Sequence, residues 1–335
     1  MEHLFVALLF GGQSHEHAVS CRSATTVYNA LLKAGHSVLP IGISPEGDWL
    51  LWKGETNIPA DWHTLSHLLT EVSFFPHGKC AAGGVFYSPH VVFPALHGDF
   101  GEDGRLQGFL DLWGVPYVGC GVETSLLSMN KILTKQVAES VGIPVLPYLP
   151  VTRHTSIEEV LHYLSFPLFV KPAHGGSSIG AGIARNEEEL LQAFQKGFAI
   201  DDTLLVEPYV KAKEVEIAVL AEDTLTISRP GEILSTAAFY DYDTKYGDHG
   251  ARTLIPAQIS ASLAQKARTY AERIFSALGC RHLARVDFFA LDNHIYFNEI
   301  NTLPGFTSIS MYPSLMQDIG IPLPGLVTRL CRAAL

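Results

Sequence analysis

Two short runs late in the chain carry residue types that bind cations, Arg285-Val286-Asp287 and Asn298-Glu299-Ile300-Asn301. Both alternate polar with apolar residues, as strands do, so side chains two apart share a face. On that pattern Arg285, Asp287 and Phe289 point one way from the first strand, and Glu299 and Asn301 share a face of the second. If the strands pair as a hairpin, two carboxylates and an amide converge. Hard oxygens of this kind suit Mg2+, which takes one or two carboxylates together with substrate phosphates in preference to a closed protein cage. A salt-bridged hairpin surface would use the same residues, and residue types alone leave both readings open.

A second segment runs Lys171-Pro-Ala-His-Gly-Gly-Ser-Ser-Ile-Gly180. Adjacent glycines and hydroxyls let backbone N–H groups approach phosphate oxygens, and a lysine ending the preceding strand can neutralise them. The GxxxxGK[ST] order of a Walker loop is absent, and a plain flexible loop is the competing reading. The third segment, Gly11-Gly-Gln-Ser-His-Glu-His-Ala-Val-Ser20, follows a strand and opens a helix but lacks the G-x-G-x-x-G spacing of a dinucleotide site. Glu16 stands near the helix start, where its charge favours the helix dipole. His15 and His17, with no third ligand nearby in sequence, read as polar loop residues.

These segments need a scaffold, and the hydrophobic pattern supplies one. Leu4 to Phe10 is a continuous apolar run, a strand buried on both faces. A helix is expected from Glu16 to Leu32, with Gly35 suited to its C-terminal end. His36 to Ile43 and Val91 to Leu96 read as further strands, and Glu102 to Trp113 has helical spacing. That alternation predicts an α/β domain with a parallel sheet. Residues 44–90, rich in Gly, Pro and His, read as an elaboration of this domain. A helix from Asn130 to Val141 and a strand from Leu168 to Lys171 suggest a second domain. Strands at Thr203 to Glu207 and Glu214 to Ala221, a helix from Ser260 to Leu278 and the hairpin of Ala284 to Leu291 with His294 to Ile300 suggest a third. The boundaries fall at 1–119, 120–206 and 207–335.

Composition narrows the function. The 335 residues are 47% hydrophobic and 17% charged, with a formal net charge of -11 and no basic cluster, so a nucleic-acid backbone or an anionic membrane has no electrostatic footprint here. The apolar runs fall well short of the roughly 20 residues that span a bilayer, and no signal peptide is recognisable at Met1-Glu2-His3. A cytoplasmic protein is expected. Five widely spaced cysteines without a CxxC predict inert thiols, not a disulfide framework or a zinc site.

Taken together the segments resemble bacterial D-alanine:D-alanine ligases of the ATP-grasp superfamily. The matching stretches are Gly11 to Ser20, His97 to Gly108, Met129-Asn-Lys131, Lys171 to Gly180, Phe239 to Tyr246, Arg285-Val-Asp287 and Asn298 to Met311, in family order along almost the whole chain. The resemblance implies three α/β domains, with ATP bound between the central and C-terminal ones. It implies Lys131 and Lys171 on the phosphates, Glu207 and Glu214 near adenine and ribose, and the backbone at Tyr209 and Val210 completing the adenine pocket. Asp287, Glu299 and Asn301 match the holders of two Mg2+ ions, for which Mn2+ can substitute, and this favours the metal reading of the hairpin. Glu16 matches the partner of the first D-alanine's amino group, and His97 also contacts that substrate. Ser177 and Tyr246 link Glu16 to a loop that covers the site. Lys245, Ser310 and the backbone at Met311 match the pocket for the second D-alanine's carboxylate, while Arg285 and the Gly305 N–H face the oxyanion. A homodimer is compatible with the resemblance.

One departure stands out: Pro208 follows Glu207 where many relatives have Lys, which removes a donor beside the adenine. A module that only binds ATP or amino acids would be expected to lose a metal ligand or Arg285, and a dehydrogenase would need the absent dinucleotide fingerprint. The nearer rival is a related ligase that takes D-lactate or D-serine second. Tyr246 beside Lys245 argues against D-lactate, because the corresponding loop of those ligases carries a His that repels the incoming ammonium.

Overall fold

The computed structural model describes residues 3–234 and 252–335, so Lys245 and Tyr246 lie outside the described residues. Among them, three sheets carry the architecture. The first has seven strands: β1 (Phe5–Gly11), β2 (Ser37–Ile43), β3 (Trp49–Trp52), β4 (Leu69–Phe75), β5 (Lys79–Ala82), β6 (Val85–Tyr87) and β7 (Val91–Pro94). Their order is β6-β5-β4-β3-β2-β1-β7. β1 is buried along nearly its whole length because it is the central parallel strand, flanked by β2 and β7.

The parallel expectation therefore holds for three strands and not for the rest. Residues 44–90 contribute β3 to β6, which continue the sheet antiparallel from β2. Such short strands pair through backbone hydrogen bonds and cross-strand packing, which depend on neighbours distant in sequence, so their own residues announce them weakly.

Helix α1 (His17–Lys33) begins one residue after Glu16, which caps it without a side-chain bond. The turn before it is fixed by Gly11, whose φ of 85° and whose absent Cβ, 2.3 Å from the Ile43 carbonyl oxygen, admit only glycine. Ser20 Oγ accepts from Gly11 N at 2.8 Å and donates to the Ala95 carbonyl at 2.6 Å, tying helix to strand ends. Helices α2 (Arg105–Trp113), α3 (Val122–Met129) and α4 (Lys131–Ser140) follow. The helix expected from Asn130 to Val141 is α4, with Asn130 as its cap, the side chain accepting from Ile132 N and Leu133 N at 3.0 and 3.1 Å, while α3 just before it went unpredicted.

The second sheet, order β10-β9-β11-β8, comprises β8 (Leu149–Thr152), β9 (Leu168–Pro172), β10 (Gly182–Ala184) and β11 (Thr203–Pro208) and is antiparallel. Helices α5 (Ile157–Tyr163) and α6 (Glu187–Phe198) share its core. Helix α6 went unpredicted although Asn186 caps it and Glu187, Glu188 and Glu189 fill its first turn.

The third sheet holds β12 (Lys213–Ala221), β13 (Leu225–Ile227), β14 (Gly231–Leu234), β15 (Arg252–Leu254), β16 (Leu283–Leu291) and β17 (His294–Asn301), ordered β15-β14-β12-β16-β17 with β13 on β12. Helix α7 (Ala261–Ala277) packs on it, and α8 (Met311–Asp318) and α9 (Leu323–Ala333) close the chain. These last two helices join the first sheet's core: Tyr312, Leu326 and Leu330 are buried in one cluster with Leu8, Val27 and Leu31. The five cysteines are free thiols.

Candidate functional site

The hairpin β16–β17 is the structural base of the site. Asp287 lies opposite Glu299 and Arg285 opposite Asn301. The register slips between Asp287 and Phe288, so that Phe288 pairs with Phe297 and Asn298 has no opposite residue. This bulge puts both Asn298 and Glu299 on the cavity wall while Phe297 before them stays in the core. Strict alternation would have placed only one of the two there.

Arg285 is clamped. Its Nε and Nη2 donate to Asp287 Oδ1 and Oδ2 at 2.8 and 2.7 Å, and Nε lies 3.0 Å from Glu216 Oε2 on β12. Burial alone would lower the guanidinium's pKa, but Asp287 and Glu216 raise it well above the ordinary value. Asn301 Nδ2 donates to Asp287 Oδ2 at 3.0 Å, which leaves its Oδ1 as the atom that could ligate a cation. Among the described residues no group of three or more His, Cys, Asp or Glu forms a metal cage. Two carboxylates and an amide oxygen on a cavity wall fit instead a Mg2+ ion that shares its shell with phosphates.

The hairpin opens onto a cavity of about 960 Å3. Every candidate position named from the sequence that falls among the described residues lies on its wall. Glu16, His97 and Ser177 line it along with Lys131, Lys171, Glu207, Tyr209, Val210 and Glu214, and so do Arg285, Asp287, Glu299, Asn301, Gly305, Ser310 and Met311.

The glycine-rich segment meets the first sheet here. Ser177 Oγ donates to Glu16 Oε1. Ser177 and Ser178 have φ of 50° and 59°, left-handed values that serine adopts only when its surroundings hold it there. Gly175, at φ 93°, takes the same turn without strain, and its carbonyl accepts from Lys131 Nζ at 2.5 Å. Lys131 is the first residue of α4, whose backbone N bonds to the Ala173 carbonyl at 2.9 Å.

His97 is buried beside Glu16. Its Nε2 lies 2.8 Å from Ser23 Oγ and its Nδ1 3.6 Å from Glu102 Oε1. Burial lowers the imidazole's pKa, yet the hydrogen bond and charge of Glu102, helped by Glu16, leave it raised overall. Elsewhere on the cavity wall Thr307 N donates to Ser310 Oγ at 2.9 Å, and a Cβ on Gly305 would stand 2.8 Å from that hydroxyl.

Lys171, at the end of β9, sits 2.9 Å from Glu207 Oε1 on β11 and donates to Asn298 Oδ1 at 3.0 Å. Lys135 of α4 lies 2.9 Å from Glu207 Oε2. Burial works to raise the Glu207 pKa, but the two ammoniums pull it down to about 2. Sequence reading passed over Lys135, Glu216, Asn298 and Glu102. A signal existed for two: Lys135 falls one helical turn after Lys131, and Glu216 shares the face of Glu214 on an alternating strand. Asn298 depends on the bulge and Glu102 on a packed histidine, neither of which a sequence pattern reveals.

Comparison with known proteins gives a consistent picture. The sequence matches the family description "D-ala D-ala ligase N-terminus" over residues 5–120 and "D-ala D-ala ligase C-terminus" over residues 137–332. It is 40% identical to a D-alanine--D-alanine ligase of Caldicellulosiruptor bescii, over 100% of this chain and 96% of that protein. It is 39% identical to one of Enterococcus hirae, over 97% and 94%. The fold is similar to that of the VanG D-Ala:D-Ser ligase of Enterococcus faecalis, with a TM-score of 0.90 and 34% identity over 100% of both chains. The D-alanine-D-alanine ligase of Coxiella burnetii gives a TM-score of 0.89 and 35% identity, over 100% of this chain and 94% of that one.

Proposed function

The chain belongs to the D-alanine–D-alanine ligase family, with the ATP-grasp fold, and from that premise we propose how its cleft uses ATP to join two D-alanine molecules for the bacterial cell wall. The observation that carries the proposal is the meeting, on one cavity wall, of the Glu16–Ser177 pair with the Arg285, Asp287, Glu299 and Asn301 constellation and with Lys131 and Lys171.

Glu16 holds the ammonium of the first D-alanine, with buried His97 beside it, so that the substrate's carboxylate is presented to the nucleotide. Lys131 and Lys171 bind the phosphates and lessen the repulsion between carboxylate and triphosphate. Asp287, Glu299 and Asn301 hold Mg2+, two ions in this reading, and the metal supplies charge neutralisation of the transferring phosphoryl group. Glu207, Glu214 and the backbone at Tyr209 and Val210 bind adenine and ribose.

The first carboxylate attacks the γ-phosphorus and gives a D-alanyl phosphate and ADP. The amine of the second D-alanine, its carboxylate on Ser310, on the Met311 backbone and on Lys245, attacks the acyl carbon and phosphate leaves. Arg285, fixed by Glu216 and Asp287, and the Gly305 N–H stabilise the oxyanion, with a worth of about 3 kcal/mol for a donor so placed. Tyr246, with Ser177 and Glu16, shields the acyl phosphate from water. The enzyme is cytoplasmic in this reading; among the described residues no helix is long and apolar enough to cross a membrane.

The likeness to a D-Ala:D-Ser ligase makes the second substrate the point to test. Incubation with ATP, Mg2+ and equal D-alanine, D-serine and D-lactate, followed by mass analysis, is expected to give D-alanyl-D-alanine as the main product. A predominance of the mixed dipeptide or of the depsipeptide would reassign the second site, and the absence of any ATP-dependent product would remove the ligase reading.

A further inference from the structure

Lys135 is fully buried, at 0% exposure, and does not reach the cavity wall. A lysine withdrawn from water is costly unless an anion meets it. The anion is Glu207, itself 2% exposed, which Lys135 approaches from α4 at 2.9 Å while Lys171 approaches the other carboxylate oxygen at 2.9 Å from β9. Each oxygen of the carboxylate thus faces an ammonium of its own. The two lysines differ in one respect: Lys171 and Glu207 line the cavity, and Lys135 stands behind them with its ammonium 5.6 Å from the Tyr148 ring.

Lys171 is thus committed to Glu207 and Asn298, yet a lysine in this place serves a nucleotide only by turning to its phosphates. We infer that Lys135 is a positioning residue for ATP: it neutralises Glu207 from behind, so that Lys171 can leave that carboxylate for phosphate without stranding a buried anion. This inference rests on the ATP-site reading above. With both lysines present, every anion in the loaded site has its own cation. Without Lys135, Glu207 and the phosphates compete for Lys171, and the carboxylate, already in place and shielded from water, has the advantage.

Steady-state kinetics of K135M, K135R, E207Q and the K135M/E207Q pair test this. K135M should raise the KM for ATP roughly tenfold while kcat at saturating ATP stays within about twofold, because the loss is one of nucleotide binding. K135R, which keeps the charge, should recover most of the affinity. In the pair neither the buried anion nor the buried Lys135 cation is left unpaired, and K135M should add less than about twofold to the effect of E207Q. An ATP KM for K135M close to that of the wild type, in a protein where E207Q raises it, overturns the role of Lys135. So does a full tenfold effect of K135M on top of E207Q, since Lys135 would then act through something else. If E207Q itself leaves the KM for ATP unchanged, the nucleotide reading of this wall falls and the role of Lys135 falls with it.

Discussion

The carboxylate of Glu16 is crowded by the backbone turn at Gly98. Gly98 has a φ of 71°, and a Cβ there would stand 2.6 Å from Glu16 Oε2, while a Cβ on Gly176 would stand 3.7 Å away. Only glycine meets both the left-handed turn and the close approach at position 98. G98A should therefore displace Glu16 and weaken its hold on the first amino group. The expected outcome is a fall in kcat/KM for D-alanine of roughly ten- to a hundredfold, with the KM for ATP within about twofold. Varying D-alanine at saturating ATP measures it, and unchanged D-alanine kinetics would show that Glu16 is not held by this turn.

Between elements, the charge cluster on α4, β9 and β11 links three pieces of structure through Glu207. Its carboxyl is held at about 2 against an ordinary 4.5. A group whose pKa is lowered on folding adds stability that is complete above the unfolded value and lost as pH falls through the folded one. The window here lies below about pH 5. Replacement by Gln should accordingly cost on the order of a few kcal/mol at pH 7, and the gap should narrow as the pH drops toward 3. Thermal melts of wild type and E207Q across this range decide it. A gap of constant size would mean that ionisation of Glu207 does not support the fold.

At the scale of the whole molecule, the C-terminal helices belong to the first sheet's core as much as to the third. Leu330 and Tyr312 are 0% exposed in the cluster that holds Leu8 and Leu31, and His36 Nε2 lies 2.9 Å from Thr328 Oγ1. L330A, which leaves a cavity in that shared core, should cost about 2–5 kcal/mol. Hydrogen exchange should then quicken at the amides of Val6 to Phe10 on β1 and at those of β12 together. Acceleration confined to β12 would show that the two sheets open independently and that the shared core does not couple them.

Much of this protein is written in local pattern. The apolar run of β1, the helical spacing of α1, α2 and α7 and the alternation of β16 and β17 each follow from the residues that form them, since burial on one face or two sets the period. The motifs in their order sufficed to identify the family. The tertiary structure alone decided three other things. β3 to β6 extend the first sheet, because edge pairing is set by backbone partners far away in sequence. Asn298 reaches Lys171, because a bulge shifts the register by one residue. Lys135 finds Glu207, because a buried charge takes its partner from whichever element packs against it, and the sequence separation of helix and strand says nothing about that contact.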